Sequence, residues 1–106
     1  MTNWSYDAAT DNGTLMLQGE VTIQHVGELK EALADAIEEA TQVTVDVSSA
    51  TAVDVAGVQL LCACHRFTMS CGRKMFLRIG NNKRFADFLD EAGFHLNFIC
   101  DQDERN

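Results

Sequence analysis

The sequence predicts a single α/β domain: a mixed β-sheet of about five strands, opened by a hairpin, with three or four α-helices packed on it. Two periodicities carry this expectation. Val43, Val45 and Val47, and again Met75, Leu77 and Ile79, place apolar residues at every second position, whereas Val26, Leu29, Leu33, Ile37 and Ala40, and Phe85, Phe88, Leu89 and Ala92, recur at helical spacing. The two kinds of segment alternate along the chain, an order that implies right-handed crossovers. A third observation concerns coverage. The strands alternate apolar with polar residues and are not apolar throughout, so one sheet face is expected to be better covered than the other.

In chain order, Trp4 to Thr10 and Leu15 to Gly19 read as strands joined by Asp11-Asn12-Gly13, whose residues tolerate positive φ. The first helix, from Val26 to Ala40, turns Glu28, Lys30, Glu31, Asp35, Glu38 and Glu39 to solvent. Val43 to Val47 form the central strand, and Ser48, Ser49 and Thr51 supply the turn chemistry after it. Asp54 stands before the next apolar run and is placed to cap a helix, its carboxylate accepting a first-turn N–H. That helix is expected to face the sheet with Leu61, Cys64, Phe67 and Cys71. A second stripe, Val58, Cys62, His65 and Met69, is then left for a neighbouring helix or a partner. Gly72-Arg73-Lys74 turns into a strand over Met75 to Ile79, and Gly80-Asn81-Asn82 ends it. A short helix follows, closed by Gly93 as C-cap. Leu96 to Cys100 reads as a last strand, and Asp101 to Asn106 as a polar tail outside the domain of residues 1–100.

Composition narrows the function. The chain has 106 residues, enough for one core, and carries eight basic against sixteen acidic side chains, a net charge of −8. That charge repels phosphate backbones and anionic lipid surfaces, which argues against nucleic acid or a membrane as the main ligand and favours a neutral or basic protein partner. The N-terminal MTNWSYDAATDNG has no signal-peptide pattern, and no segment approaches the ~20 apolar residues of a membrane span. The expected compartment is the cytoplasm, without direct membrane insertion. Four cysteines, at positions 62, 64, 71 and 100, show neither C-x-x-C nor zinc-knuckle spacing. Reduced thiols are expected, with no metal and no cofactor. A small metal or thiol-redox protein built on Cys62, Cys64 and His65 is the alternative from another class, but it lacks a third ligand at helical spacing. His25 and His95 stand alone. Asp46 and Asp54 flank the central loop without a nucleophile, a phosphate-cradling glycine loop or a metal motif beside them, so no catalytic site is expected. Asp46 is read as bracing the loop by accepting backbone N–H groups.

Asp54-Val55-Ala56-Gly57-Val58, after a strand ending Asp46-Val47-Ser48 and with Gln59-Leu60-Leu61 continuing the helix, resembles a STAS domain, the module of anti-sigma-factor antagonists and sulfate-transporter tails. The resemblance runs from Leu15-Met16-Leu17-Gln18-Gly19-Glu20 through Thr22-Ile23 and Glu28-Leu29-Lys30-Glu31-Ala32-Leu33 to Gly72 and Ala92-Gly93-Phe94, and rests on their order and spacing. It implies the same α/β architecture and a non-enzymatic function in partner switching. In the antagonist branch Ser or Thr commonly follows the Asp, and the next residue, before Gly, is the Ser or Thr that a kinase phosphorylates; here those positions hold Val55 and Ala56. Without a hydroxyl at Ala56 the resemblance implies a permanently unphosphorylated binding surface, expected to comprise Ser48, Ser49, Thr51, Asp54, Val55, Ala56, Gly57, Val58 and Cys62. The implied partner is an anti-sigma factor or serine-kinase-like protein. A STAS subunit docking on the ATPase of a bacterial lipid-transport complex is the alternative within the family.

Overall fold

The computed structural model describes residues 2–99. Among these residues six strands fall into two sheets: β1 (Thr2–Asp7), β2 (Asn12–Leu17), β4 (Gln42–Asp46) and β6 (Lys74–Arg78) lie side by side in that order, while β3 (Gly19–Val21) pairs with β5 (Ala50–Val53). Only β1 and β2 are antiparallel. A 3-10 turn, Ile23–His25, leads into α1 (Val26–Glu39); α2 (Val55–Ser70) and α3 (Lys83–Glu91) follow.

Register explains the core. Gly13, Val43 and Met75 stand in one cross-strand row, and Leu15, Val45 and Leu77 in the next; all six are buried. On the same side, α1 contributes Leu29, Leu33, Ala36 and Ile37, and α2 contributes Val58 and Leu61. The alternate rows, Thr14–Thr44–Phe76 and Met16–Asp46–Arg78, belong to the opposite face, where only Asp46 is buried. One face is thus better covered than the other, as alternation requires.

Several local expectations need correction. The opening turn lies earlier than Asp11-Asn12-Gly13: Asp11 takes the positive φ of 56°, and Asn12 and Gly13 already belong to β2. Gly13 is needed under the Trp4 ring, where an added Cβ would lie 2.0 Å from Cη2. Trp4 is pinned from above by its indole N–H, which donates to Glu39 at 2.8 Å. Ala50 to Val53, expected as loop, forms β5, because Val21 and its neighbours supply a parallel partner that the sequence does not announce.

The inward face of α2 is also rotated from the expected one. Gly57, Val58, Leu61 and Thr68 are buried, whereas Phe67 is 58% exposed and Cys71 is exposed. Thr68 can point inward because its hydroxyl donates to the Cys64 carbonyl at 2.6 Å, satisfying itself within the helix. The last strand reduces to one parallel bridge, Leu77 with Ile99, the Leu77 N–H donating to the Phe98 carbonyl at 2.8 Å. Cys100 and the tail at 101–106 lie outside the described residues. The expected caps are present: Asp54 caps α2, and Gly93, at φ 79°, follows α3, with Phe94 N–H returning to the Leu89 carbonyl. A cap not foreseen is Arg73, whose guanidinium donates to the carbonyls of Ile37, Glu38 and Ala40 at the end of α1.

Candidate functional site at the start of α2

Four elements converge on the first turn of α2. The Asp54 carboxylate accepts from Gly57 N–H at 2.9 Å with one oxygen and from Ile23 N–H at 3.0 Å with the other. It therefore caps α2 and ties the turn after β3 to it. The Asp54 N–H in turn donates to the Val21 carbonyl at 3.3 Å. α2 runs so close to β3 that a Cβ on Gly57 would lie 2.1 Å from the Val21 carbonyl oxygen. Glycine is fixed here by approach and not by φ.

The loop before β5 is held from two sides. The Asp46 carboxylate accepts from Ser48 N–H at 2.8 Å, the bracing role expected of it, and Ala50 N–H closes a turn onto the Val47 carbonyl at 3.1 Å. From the other side the Asn82 side-chain amide donates to the carbonyls of Val47 and Ala50, at 2.8 and 2.9 Å, while its oxygen caps α3 through Phe85 N–H at 3.1 Å.

Of the residues expected at this surface, Ser48, Ser49, Thr51 and Val55 are exposed, and Asp54 and Ala56 are half-buried. Gly57 and Val58 are buried, Val58 completely, and offer no surface; they hold the helix to the sheet. Cys62 is half-buried beside the C-terminal segment, near His95 and Leu96. His65, from the same stripe, stacks on Phe98 with ring centroids 4.1 Å apart. The chain itself thus covers Val58 and part of Cys62 and His65, whereas Met69 is 61% exposed. Ile23, 61% exposed, takes the place of Val58 beside Val55, which is 46% exposed. Sequence reading missed Ile23 because it sits alone between two elements, outside any period.

Burial raises the thiol pKa values of Cys62 and Cys64 and lowers that of His65. The two thiol shifts oppose the reactive thiolate, whereas the His65 shift favours the neutral imidazole. Among the described residues, no group of three or more His, Cys, Asp and Glu is placed to hold a metal ion, and no helix is long and apolar enough to cross a membrane.

His25, beside this site, is held between Glu28 at 3.0 Å and Glu20 at 3.2 Å. The hydrogen bond to Glu28, then that to Glu20, raises its pKa above 6.5 despite some desolvation. A raised native value means that the stabilisation is complete below the unfolded value and is lost as pH rises through the native one. His25→Gln is thus expected to lower the melting temperature more at pH 6 than at pH 8, as read by thermal melts in matched buffers. An equal effect at both would mean that the charged pairs contribute nothing.

The chain belongs to the STAS-domain family: residues 4–96 match the family model described as Mlab, STAS domain. No curated protein sequence matches it. Its fold is shared with RsbS of Moorella thermoacetica in a serine-to-glutamate variant, at 20% identity over 93% of this chain and 83% of that one, TM-score 0.70. The anti-sigma factor antagonist SpoIIAA, unphosphorylated, is similar at 14% identity over 98% and 94% of the two chains, TM-score 0.64. The Bacillus cell fate determinant SpoIIAA in its phosphorylated form gives 15% identity over 88% and 84%, TM-score 0.64.

Proposed function

We propose that this chain is a non-enzymatic, regulatory protein-binding module of the anti-sigma-factor-antagonist kind, whose docking surface at the start of α2 is not switched by phosphorylation. The observation that carries this reading is the pairing of a firmly held helix start with apolar side chains upon it. Asp54 and Gly57 fix the turn to β3, and the apolar residues upon it, Val55, Ala56 and Ile23, carry no hydroxyl. SpoIIAA, a protein of the same fold, occurs in phosphorylated and unphosphorylated forms. In this chain a phosphate would need a hydroxyl that Ala56 lacks. Ser48, Ser49 and Thr51 form the polar rim of the surface, in keeping with an apolar interface core. The partner is an anti-sigma factor or serine-kinase-like protein. A STAS subunit seated on a transporter ATPase would use the same surface; this second reading is retained because the description of the matching family model names no antagonist.

The test is Ala56→Glu. A carboxylate at a helix N-terminus leaves folding unchanged or improves it by up to ~1 kcal/mol. Buried unpaired across an apolar interface, the same charge costs on the order of a hundredfold in affinity. Thermal unfolding is measured together with affinity for a purified kinase and a purified transporter ATPase from the same genome, with Asp90→Ala as the control. Binding to either partner that Ala56→Glu leaves intact removes this surface from the account. Which of the two partners binds decides between the readings.

A further inference from the structure

Once the sheet has taken Val58 and Leu61, the apolar residues remaining on α2 still form a line. Leu60, Ala63 and Phe67 run along the side of α2 that faces α1, where Ala34 and Ile37 meet them, with Cys64 alongside. Together they line an apolar groove of about 340 Å³. Two of the walls are alanines, Ala34 and Ala63, both exposed, and Phe67 stands 58% exposed. Such a volume lies at the small end of ligand pockets, and this groove is open along two helices, a shape suited to the ridge of another helix rather than to an enclosed small molecule.

Charge identifies what kind of helix. α1 carries Glu28, Glu31, Asp35, Glu38 and Glu39 against Lys30, and α2 adds one further cation, Arg66. Glu28 is engaged by His25 and Glu39 by Trp4, whereas Glu31, Asp35 and Glu38 have no ion-pair partner among the described residues. Lys30 belongs to the groove wall, its ammonium acting on the Cys64 thiol. The groove is thus an apolar trough beside an uncommitted acidic shoulder, on a chain of net charge −8.

We propose that the groove between α1 and α2 is a second docking surface, which takes an amphipathic helix of a partner protein bearing basic residues beside its apolar ridge. A second copy of this chain is disfavoured, because a two-fold contact would set one acidic α1 against another. The surface is separate from the start of α2 and does not depend on the function proposed for that site.

The probe is a fluorescein-labelled helical peptide with leucines at i, i+3, i+4 and i+7 flanked by lysines, compared with the same peptide carrying glutamate for every lysine. Anisotropy titration into the full chain is expected to give binding to the lysine peptide at least about tenfold tighter, and weakened by added salt. Ala63→Arg, which puts a charge into the trough, and Phe67→Ala, which removes its aromatic wall, should each weaken that binding about tenfold or more. Ala56→Glu should leave it unchanged. Circular dichroism melts establish that each variant is folded, and Phe67→Ala carries the test if Ala63→Arg is not. Failure of the lysine peptide to bind, equal binding of both peptides, or full binding by the folded groove variants overturns the proposal. So does a dimer, seen by light scattering, that the groove variants dissociate, since it would assign the groove to a second copy.

Discussion

Gly57→Ala is expected to lower the unfolding free energy by about 3 kcal/mol, the upper end of what overpacking a core costs. In a domain of this size that corresponds to a fall of roughly 12–20 °C in melting temperature. Helix propensity alone points the other way, since alanine is favoured over glycine by about 1 kcal/mol inside a helix. The clash decides the sign. The added Cβ would lie 2.1 Å from the Val21 carbonyl oxygen, 2.8 Å from its carbon and 2.9 Å from Val21 Cγ1. Two of these are backbone atoms, and the same carbonyl accepts Asp54 N–H, so β3 cannot retreat without releasing the helix start. Gly27→Ala is the control. It meets nothing within 4 Å and lies in the first turn of α1, so it should stabilise by about 0.5–1 kcal/mol. Chemical denaturation of both variants measures the contrast; a Gly57→Ala protein as stable as its parent would show that α2 does not approach β3 so closely.

Asn82→Ala is expected to cost a comparable amount, about 3 kcal/mol, from three hydrogen bonds worth about 1 kcal/mol each. The side chain does two jobs: its oxygen caps α3, and its amide holds the carbonyls of Val47 and Ala50. Asn82→Asp separates them. At an ordinary N-cap, aspartate replaces asparagine without loss. Here it would turn an oxygen towards two carbonyl oxygens, so Asn82→Asp should be no more stable than Asn82→Ala. Parent-like stability of Asn82→Asp in denaturant titration would reduce the residue to a cap. Amide exchange at Ala50 and Phe85 reports on the two jobs separately: both should quicken in Asn82→Ala, whereas the aspartate should keep Phe85 protected.

What the sequence disclosed depended on whether the responsible force is local. α1 reads directly because its apolar and charged residues separate by period. The caps at Asp54 and Gly93 read because they answer to the chain within a few residues. α2 is apolar nearly all round, from Val55 through Leu60 and Leu61 to Phe67 and Met69, so period could not choose its inward side. The choice fell to Thr68, a polar residue that satisfies itself on the helix backbone, and Phe67 was left outside. β5 was hidden because its partner is three residues lying before α1. At the site, Asp54 and Ala56 were legible from the order Asp-x-x-Gly. Asn82 was not, because its two carbonyl partners lie 35 and 32 positions away and leave no mark on its neighbours.

The Asp54 carboxylate joins residues 31 positions apart when it accepts from Ile23 N–H, and the parallel pairing of β3 with β5 spans a similar length of chain. Closing so long a loop is entropically unfavourable until the intervening segment has folded. The intervening segment is α1 and β4. Loop-closure entropy therefore predicts that the start of α2 acquires its final geometry after those elements are in place, late in the order of folding. A chain that has collapsed but not completed its β3–β5 pairing would hold Val55 and Ala56 on a helix with nothing to fix its direction. If the surface proposed above is the docking site, a partner that reads the helix start together with Ile23 would engage chains that have finished folding and pass over those that have not.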